Sequence, residues 1–169
     1  PFLCLLFAFT LYGCNEDLNP SDSDERPSVQ TGSVGHYVGQ NAADFTLQDT
    51  LGNTINLADE LLANDKVVLY FTMWCPLCDT HMSSIRQNVK PQFPNVRFLV
   101  VDYVSASMNQ SRSAQFSNGY ASETLIPDTD HTLLKQFDAT MGSTIVIDPS
   151  GVILMNEDYK QSKIISVLE

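Results

Sequence analysis

Residues Val67–Asp79 read VVLYFTMWCPLCD, and the reading of the whole chain turns on them. The β-branched and aromatic run Val67–Thr72 predicts a strand. It ends in Trp74-Cys75-Pro76-Leu77-Cys78, after which His81, Met82, Ile85 and Val89 recur at helical spacing. Two cysteines separated by two residues, where a strand turns into a helix, form a redox motif more often than anything else. The unpaired N–H groups and the dipole at the helix start stabilise a thiolate, the attacking species in disulfide exchange. Cys75 is therefore expected at the exposed helix N-terminus. Cys78, one turn later, can close a disulfide back onto it. Pro76 fits the first helical turn, where no N–H is required.

Composition frames this motif. A chain of 169 residues, 43% of them hydrophobic, has room for one domain with a real core. Its net charge of −11 argues against a nucleic-acid partner, because phosphate binding needs clustered Lys and Arg. No internal repeat is visible. The four cysteines, at positions 4, 14, 75 and 78, do not form a disulfide framework, since only the last two can react within one element.

Outward from the motif, strands alternate with helices. Two short alternating runs on either side of Gly52-Asn53 predict a β-hairpin, and a short helix follows over Leu57–Ala63. Pro91 and Pro94 close the motif helix. Val96–Tyr103 is a nearly continuous apolar run, as in a parallel strand buried on both faces. A polar helix over Ser107–Ser117, an extended piece Leu125-Ile126-Pro127 and a short helix Thr132–Phe137 come next. Ser143–Asp148 predicts a strand, Pro149-Ser150-Gly151 a turn fixed by Asp148, and Val152–Met155 the hairpin partner. Lys160–Leu168 reads as a closing helix. The class is α/β with a mixed sheet.

Pro1–Gly13 is apolar, uncharged and too short to span a bilayer. With Leu11-Tyr12-Gly13-Cys14 it resembles a bacterial lipoprotein signal, in which a small residue precedes the cysteine that receives lipid. Residues 1–13 are then the signal segment, and Cys14 is the lipid attachment site. Residues 14–35 are rich in Asp, Glu, Ser, Pro and Gly, and read as a flexible acidic tether. Residues 36–169 form the folded domain.

The order of parts resembles the redoxin branch of the thioredoxin superfamily, in particular the TlpA/ResA-like, AhpC/TSA-related thiol-disulfide oxidoreductases. The pieces that carry the resemblance are GQNAADFTLQDTLGNTINL, VVLYFTMWCPLC, VRFLVVDY and STIVIDPSGVIL. It implies a thioredoxin-like fold with an N-terminal β-hairpin extension, no cofactor, Cys75 as the attacking cysteine and Cys78 as the resolving one. Thr72, Trp74, Pro76, Leu77 and Gly142 form the shell, with Trp74 shielding the disulfide. The implied partners are proteins with cysteine pairs, such as apocytochrome c, and a membrane protein that supplies electrons. The implied place is the cell envelope, facing the periplasm, with the lipid holding the protein to a membrane. One departure is clear. Gly142 stands where such proteins carry a cis-proline facing the cysteine pair, and a cis bond before a non-proline residue costs about 2.5–4 kcal/mol.

Two other chemistries share parts of this pattern. Peroxiredoxin sites resemble Pro-x-x-x-Thr-x-x-Cys; here Thr72 precedes Cys75 at that spacing, but Val68 holds the place of the proline. Copper-carrying Sco proteins resemble this fold with Cys-x-x-x-Cys and a His just before the late strand. Here the spacing is one shorter, and residues 138–144 hold no His. His81 and His131 read as surface or helix-packing residues. A zinc site needs about four ligands, and no second Cys-x-x-Cys exists to supply them, so no metal is expected. Asp79, in the first helical turn, reads as a capping carboxylate.

Overall fold

A computed structural model describes residues 29–169. The signal segment, Cys4, Cys14 and most of the tether lie outside these residues.

The hairpin is β1 (Thr46–Gln48) against β2 (Thr54–Asn56), leading directly into α1 (Leu57–Ala63). Asn56 caps α1 by accepting the Asp59 N–H. The main sheet contains β3 (Lys66–Thr72), β4 (Val96–Asp102), β5 (Thr124–Pro127), β6 (Ser143–Ile147) and β7 (Ile153–Asp158), in the order β5-β4-β3-β6-β7. Strands β3, β4 and β5 run parallel, and β6 and β7 pair antiparallel. The mixed α/β sheet read from the alternation is therefore the one observed.

Strand β3 lies at the centre and is buried on both faces. Val67, Leu69 and Phe71 pack with α1 and with α4 (Thr132–Gln136) on one side. Val68 and Tyr70 pack on the other side with Met82, Ile85 and Val89 and with Ile164 and Leu168 of α5 (Gln161–Leu168). This period-2 division is what makes the run of apolar residues necessary. The motif helix α2 (Pro76–Ser84) is shorter than its spacing predicts. A π-helical turn follows over Ile85–Val89, in which the Lys90 N–H reaches Ile85 O, and then a 3-10 turn over Lys90–Gln92. Pro91, without an N–H, ends the ladder.

Three further differences from the sequence reading have physical causes. The extended piece at Leu125–Pro127 is an edge strand of the main sheet, where a terminal proline is tolerated. β7 runs three residues beyond Met155, because Asn156, Glu157 and Asp158 are polar but lie at the other edge, where strands can face water. Residues 30–35, assigned to the tether by composition, make tight turns bonded to residues 39–41, including Gly32 N–H to Gly39 O and Asn41 N–H to Ser33 O. Both edges are clipped by the N-terminal part of the chain. Gly39 N–H donates to Ile153 O and Ile153 N–H to Gln40 O, while Thr50 N–H donates to Leu125 O. Asp148 fixes the β6–β7 turn by accepting from Ser150 N–H and Val152 N–H at 2.9 and 3.0 Å.

The clip at β5 depends on one side chain of α3 (Met108–Ser117). Gln115 is fully buried, accepts from the Thr50 hydroxyl at 2.7 Å and from Arg112 at 2.8 Å, and donates to the carbonyls of Tyr120 and Glu123. Gln115→Leu leaves these carbonyls and the hydroxyl without a partner. It is expected to lower unfolding free energy in urea by roughly 2–4 kcal/mol. A loss under about 0.5 kcal/mol, the scale of an ordinary surface change, counts against this role.

Candidate functional site

β3 ends at Thr72, and the chain turns through Met73 and Trp74 into α2. Trp74 has φ 60°, a left-handed conformation that is strained for a bulky side chain. Two hydrogen bonds hold it there: its N–H to Thr72 Oγ1 at 3.2 Å, and its indole Nε1–H to Asp102 Oδ2 at 2.9 Å. Asp102 closes β4 and is fully buried. Its carboxylate also accepts from the Ser111 hydroxyl at 2.7 Å and from the N–H groups of Val104 and Ser105, both at 3.1 Å.

This turn delivers Cys75 to the N-cap of α2. Its sulfur takes the role usually filled by a Ser or Asp oxygen, accepting the Cys78 N–H at 3.2 Å. Pro76 occupies the first helical position, and Pro76 and Leu77 are exposed. Cys75 is half-buried rather than fully exposed, whereas Cys78 is 1% exposed. The two sulfurs are 2.7 Å apart, so a disulfide between them needs no backbone movement. Burial alone pushes the Cys78 thiol up, but hydrogen bonds from Cys75, from backbone at Met73 and Cys75 and from Thr72 outweigh it, and the net direction is down. Tyr70 and Tyr103 also face the sulfurs. Burial, and then the charge of the cysteines, raises the pKa of both phenols.

Asp79 does not cap the helix, because the Cys75 sulfur already does. Its carboxylate turns sideways and takes the hydroxyl of Tyr120, which also contacts Ser83 at 3.2 Å, so α2 is tied to the segment after α3. His81 lies one turn beyond Cys78. Its Nδ1 is 3.1 Å from the Tyr70 hydroxyl, and its ring stacks on Tyr159 with centroids 4.6 Å apart. Burial moves its pKa below the usual histidine value, against a smaller opposing pull from Asp158.

No cis peptide bond occurs among the described residues. Gly142 adopts φ 83°, donates its N–H to Phe71 O at 3.0 Å, and accepts the Tyr159 N–H at 2.9 Å. A Cβ built there would lie 3.5 Å from the His81 ring. The loop that would carry proline thus rests on His81, and both backbone groups of Gly142 are used internally.

The AhpC/TSA family profile matches residues 38–155. The chain belongs to the AhpC/TSA family. Its fold is thioredoxin-like, as three solved structures show. One is the thioredoxin domain of a thiol-disulfide oxidoreductase from Bacteroides vulgatus, with TM-score 0.64 and 16% identity over 79% of this chain and 99% of that one. Another is the exposed lipoprotein thioredoxin of Streptococcus pneumoniae, with TM-score 0.63 and 21% identity over 75% and 98%. A third is a secreted disulfide oxidoreductase of Mycobacterium tuberculosis, with TM-score 0.58 and 21% identity over 73% and 93%. No curated protein matches the chain.

Within this AhpC/TSA-family fold, Thr72, Trp74, Cys75 and Cys78 converge on one crevice, while Pro76 and Leu77 flank it at the surface. The Thr72 oxygen accepts the Trp74 N–H, and its hydroxyl donates to Cys78. Among the described residues, no three His, Cys, Asp or Glu side chains converge as metal ligands would. The sequence reading missed Tyr70, Asp102, Tyr103 and Tyr159. Only Tyr70 left a signal, as a polar tip in a strand whose alternation points it toward α2. Restoring the family's proline should fail here. A φ of 83° lies far from the roughly −65° that proline requires, and the bond to Phe71 O would be lost. Gly142→Pro is expected to destabilise by roughly 3 kcal/mol or more in chemical denaturation. An unchanged or higher midpoint would show that the loop readily accepts the other conformation.

Proposed function

We propose that this chain is a thiol-disulfide oxidoreductase that exchanges disulfides with protein cysteine pairs through Cys75 and Cys78. The observation that carries this reading is the placement of the two sulfurs, one reachable at a helix N-cap and one buried 2.7 Å behind it. The Cys75 thiolate attacks a substrate disulfide, forming a mixed disulfide and releasing one substrate sulfur as a thiolate. Cys78, giving up its proton, then attacks the Cys75 sulfur. The second substrate sulfur leaves as a thiolate that takes up a proton, and the Cys75–Cys78 disulfide remains. The substrate gains two electrons and the protein loses them. The reverse sequence oxidises a substrate dithiol.

The proposed setting is the cell envelope. The pneumococcal and mycobacterial proteins of similar fold, one an exposed lipoprotein and one secreted, support this, as does the lipobox-like stretch ending in Cys14. With a lipid on Cys14, residues 15–29 would tether the domain to a membrane. In an oxidising compartment a reducing role requires a membrane protein that returns electrons to the pair.

Two measurements test the reading. The first is the reduction potential of the pair in glutathione or dithiothreitol buffers, followed through Trp74, the sole tryptophan. A reversible two-electron transition supports exchange. A value well below the glutathione range marks a reductase, and a clearly higher one an oxidant or isomerase. Absence of any reversible disulfide overturns the reading. The second uses Cys78→Ser, which should trap mixed disulfides on Cys75, whereas Cys75→Ser should trap none. Equal trapping by both variants would contradict the assigned roles.

A further inference from the structure

The resolving step poses a proton problem. Cys75 reaches solvent, but Cys78 is 1% exposed, and the crevice beside it, walled by Thr72, Trp74, Met82 and Tyr120, is too narrow to hold a water molecule. When Cys75 carries a substrate, it no longer has the S–H that contributes most to stabilising the Cys78 thiolate. The Cys78 proton then needs another route.

We propose that Tyr70 and His81 form this route, a relay that takes the proton of Cys78 during resolution of the mixed disulfide. The proposal rests on the exchange reading above. Tyr70 projects from β3 beneath α2, its hydroxyl 3.1 Å from His81 Nδ1 and near enough to Cys78 for the sulfur to raise the pKa of the phenol. As the Cys78 sulfur attacks the Cys75 sulfur, its proton passes to the Tyr70 oxygen and the phenol proton passes to His81 Nδ1. The bond to the substrate sulfur breaks, and imidazolium and substrate thiolate result. His81 is partly exposed and can return the proton to the departing thiolate or to water. No oxidant beyond the substrate is required.

The surroundings suit this task. From α2, Tyr70 is faced by Cys75, Cys78 and His81, and from the segment after β7 by Tyr159. His81 is faced by Tyr70, by the ring of Tyr159, by the Gly142 backbone and, at longer range, by Asp158. Asp158 is the one charged group in this set, and burial outweighs its pull. The imidazole is therefore neutral at pH 7 and able to accept. It protonates only as pH falls below its ordinary 6.5, and the relay is lost in that direction.

The test uses the whole chain and oxidised glutathione as oxidant, with closure of the Cys75–Cys78 disulfide followed by Trp74 fluorescence at saturating oxidant, where resolution limits the rate. Tyr70→Phe removes one hydroxyl. His81→Asn keeps an acceptor for that hydroxyl but cannot carry a proton. Both should slow resolution about tenfold or more, since general-base assistance is commonly worth at least that. The wild-type rate should fall on an acid limb below pH 6.5, and this limb should vanish in His81→Asn. Rates within twofold of wild type in both variants, or the same acid limb in His81→Asn, overturn the relay while leaving the exchange reading intact. Failure of the wild-type protein to close its disulfide with oxidised glutathione overturns the exchange reading itself.

Discussion

The carboxylate of Asp102 is the constraint on which the site depends. It gathers four donors from three places: the Trp74 indole, the Ser111 hydroxyl and the N–H groups of Val104 and Ser105. A buried carboxylate is costly unless it is so satisfied. Here the same bonds hold Trp74 in a backbone conformation it would not choose. That residue sets the angle at which the chain leaves β3 and enters α2. The sulfur positions follow from the angle, so a side chain at the end of β4 places the cysteine pair at the end of β3.

Once α2 starts at Cys75, burial of one sulfur and access to the other follow from helical geometry. Cys78 falls one turn on and faces the sheet, with Tyr70 beneath it and Met82 beside it in the same core. The site is thus built on packed elements rather than on a mobile loop. The late loop at Gly142 contributes contact with His81 in place of the backbone presentation expected of a cis-proline.

Much of this was legible in the sequence, because the governing signals are local. The run Val67–Thr72 has no polar face to mistake, and the Cys-x-x-Cys spacing follows it at once. The pairing of Trp74 with Asp102 spans 28 residues and two elements, and no periodicity announces it. Asp79 was misread for an instructive reason. A first-turn carboxylate usually serves the helix dipole, but here a sulfur occupies the cap and Tyr120 claims the carboxylate. The length of β7 was hidden because its last residues are polar, as an edge strand permits. His81 looked like a packing residue, and it is one; its link to Tyr70 appears only when β3 and α2 are brought together.

The clips at the two sheet edges bear on how such a protein behaves at high concentration. A bare edge is a template on which another chain can add a strand, and repeated addition leads to aggregation. Here the chain lays its own Gly39 and Gln40 against β7 and its own Thr50 against β5. Sideways growth of the sheet is therefore blocked at Leu125 and at Ile153, while the last residues of β7 are polar and acidic, which also discourages pairing.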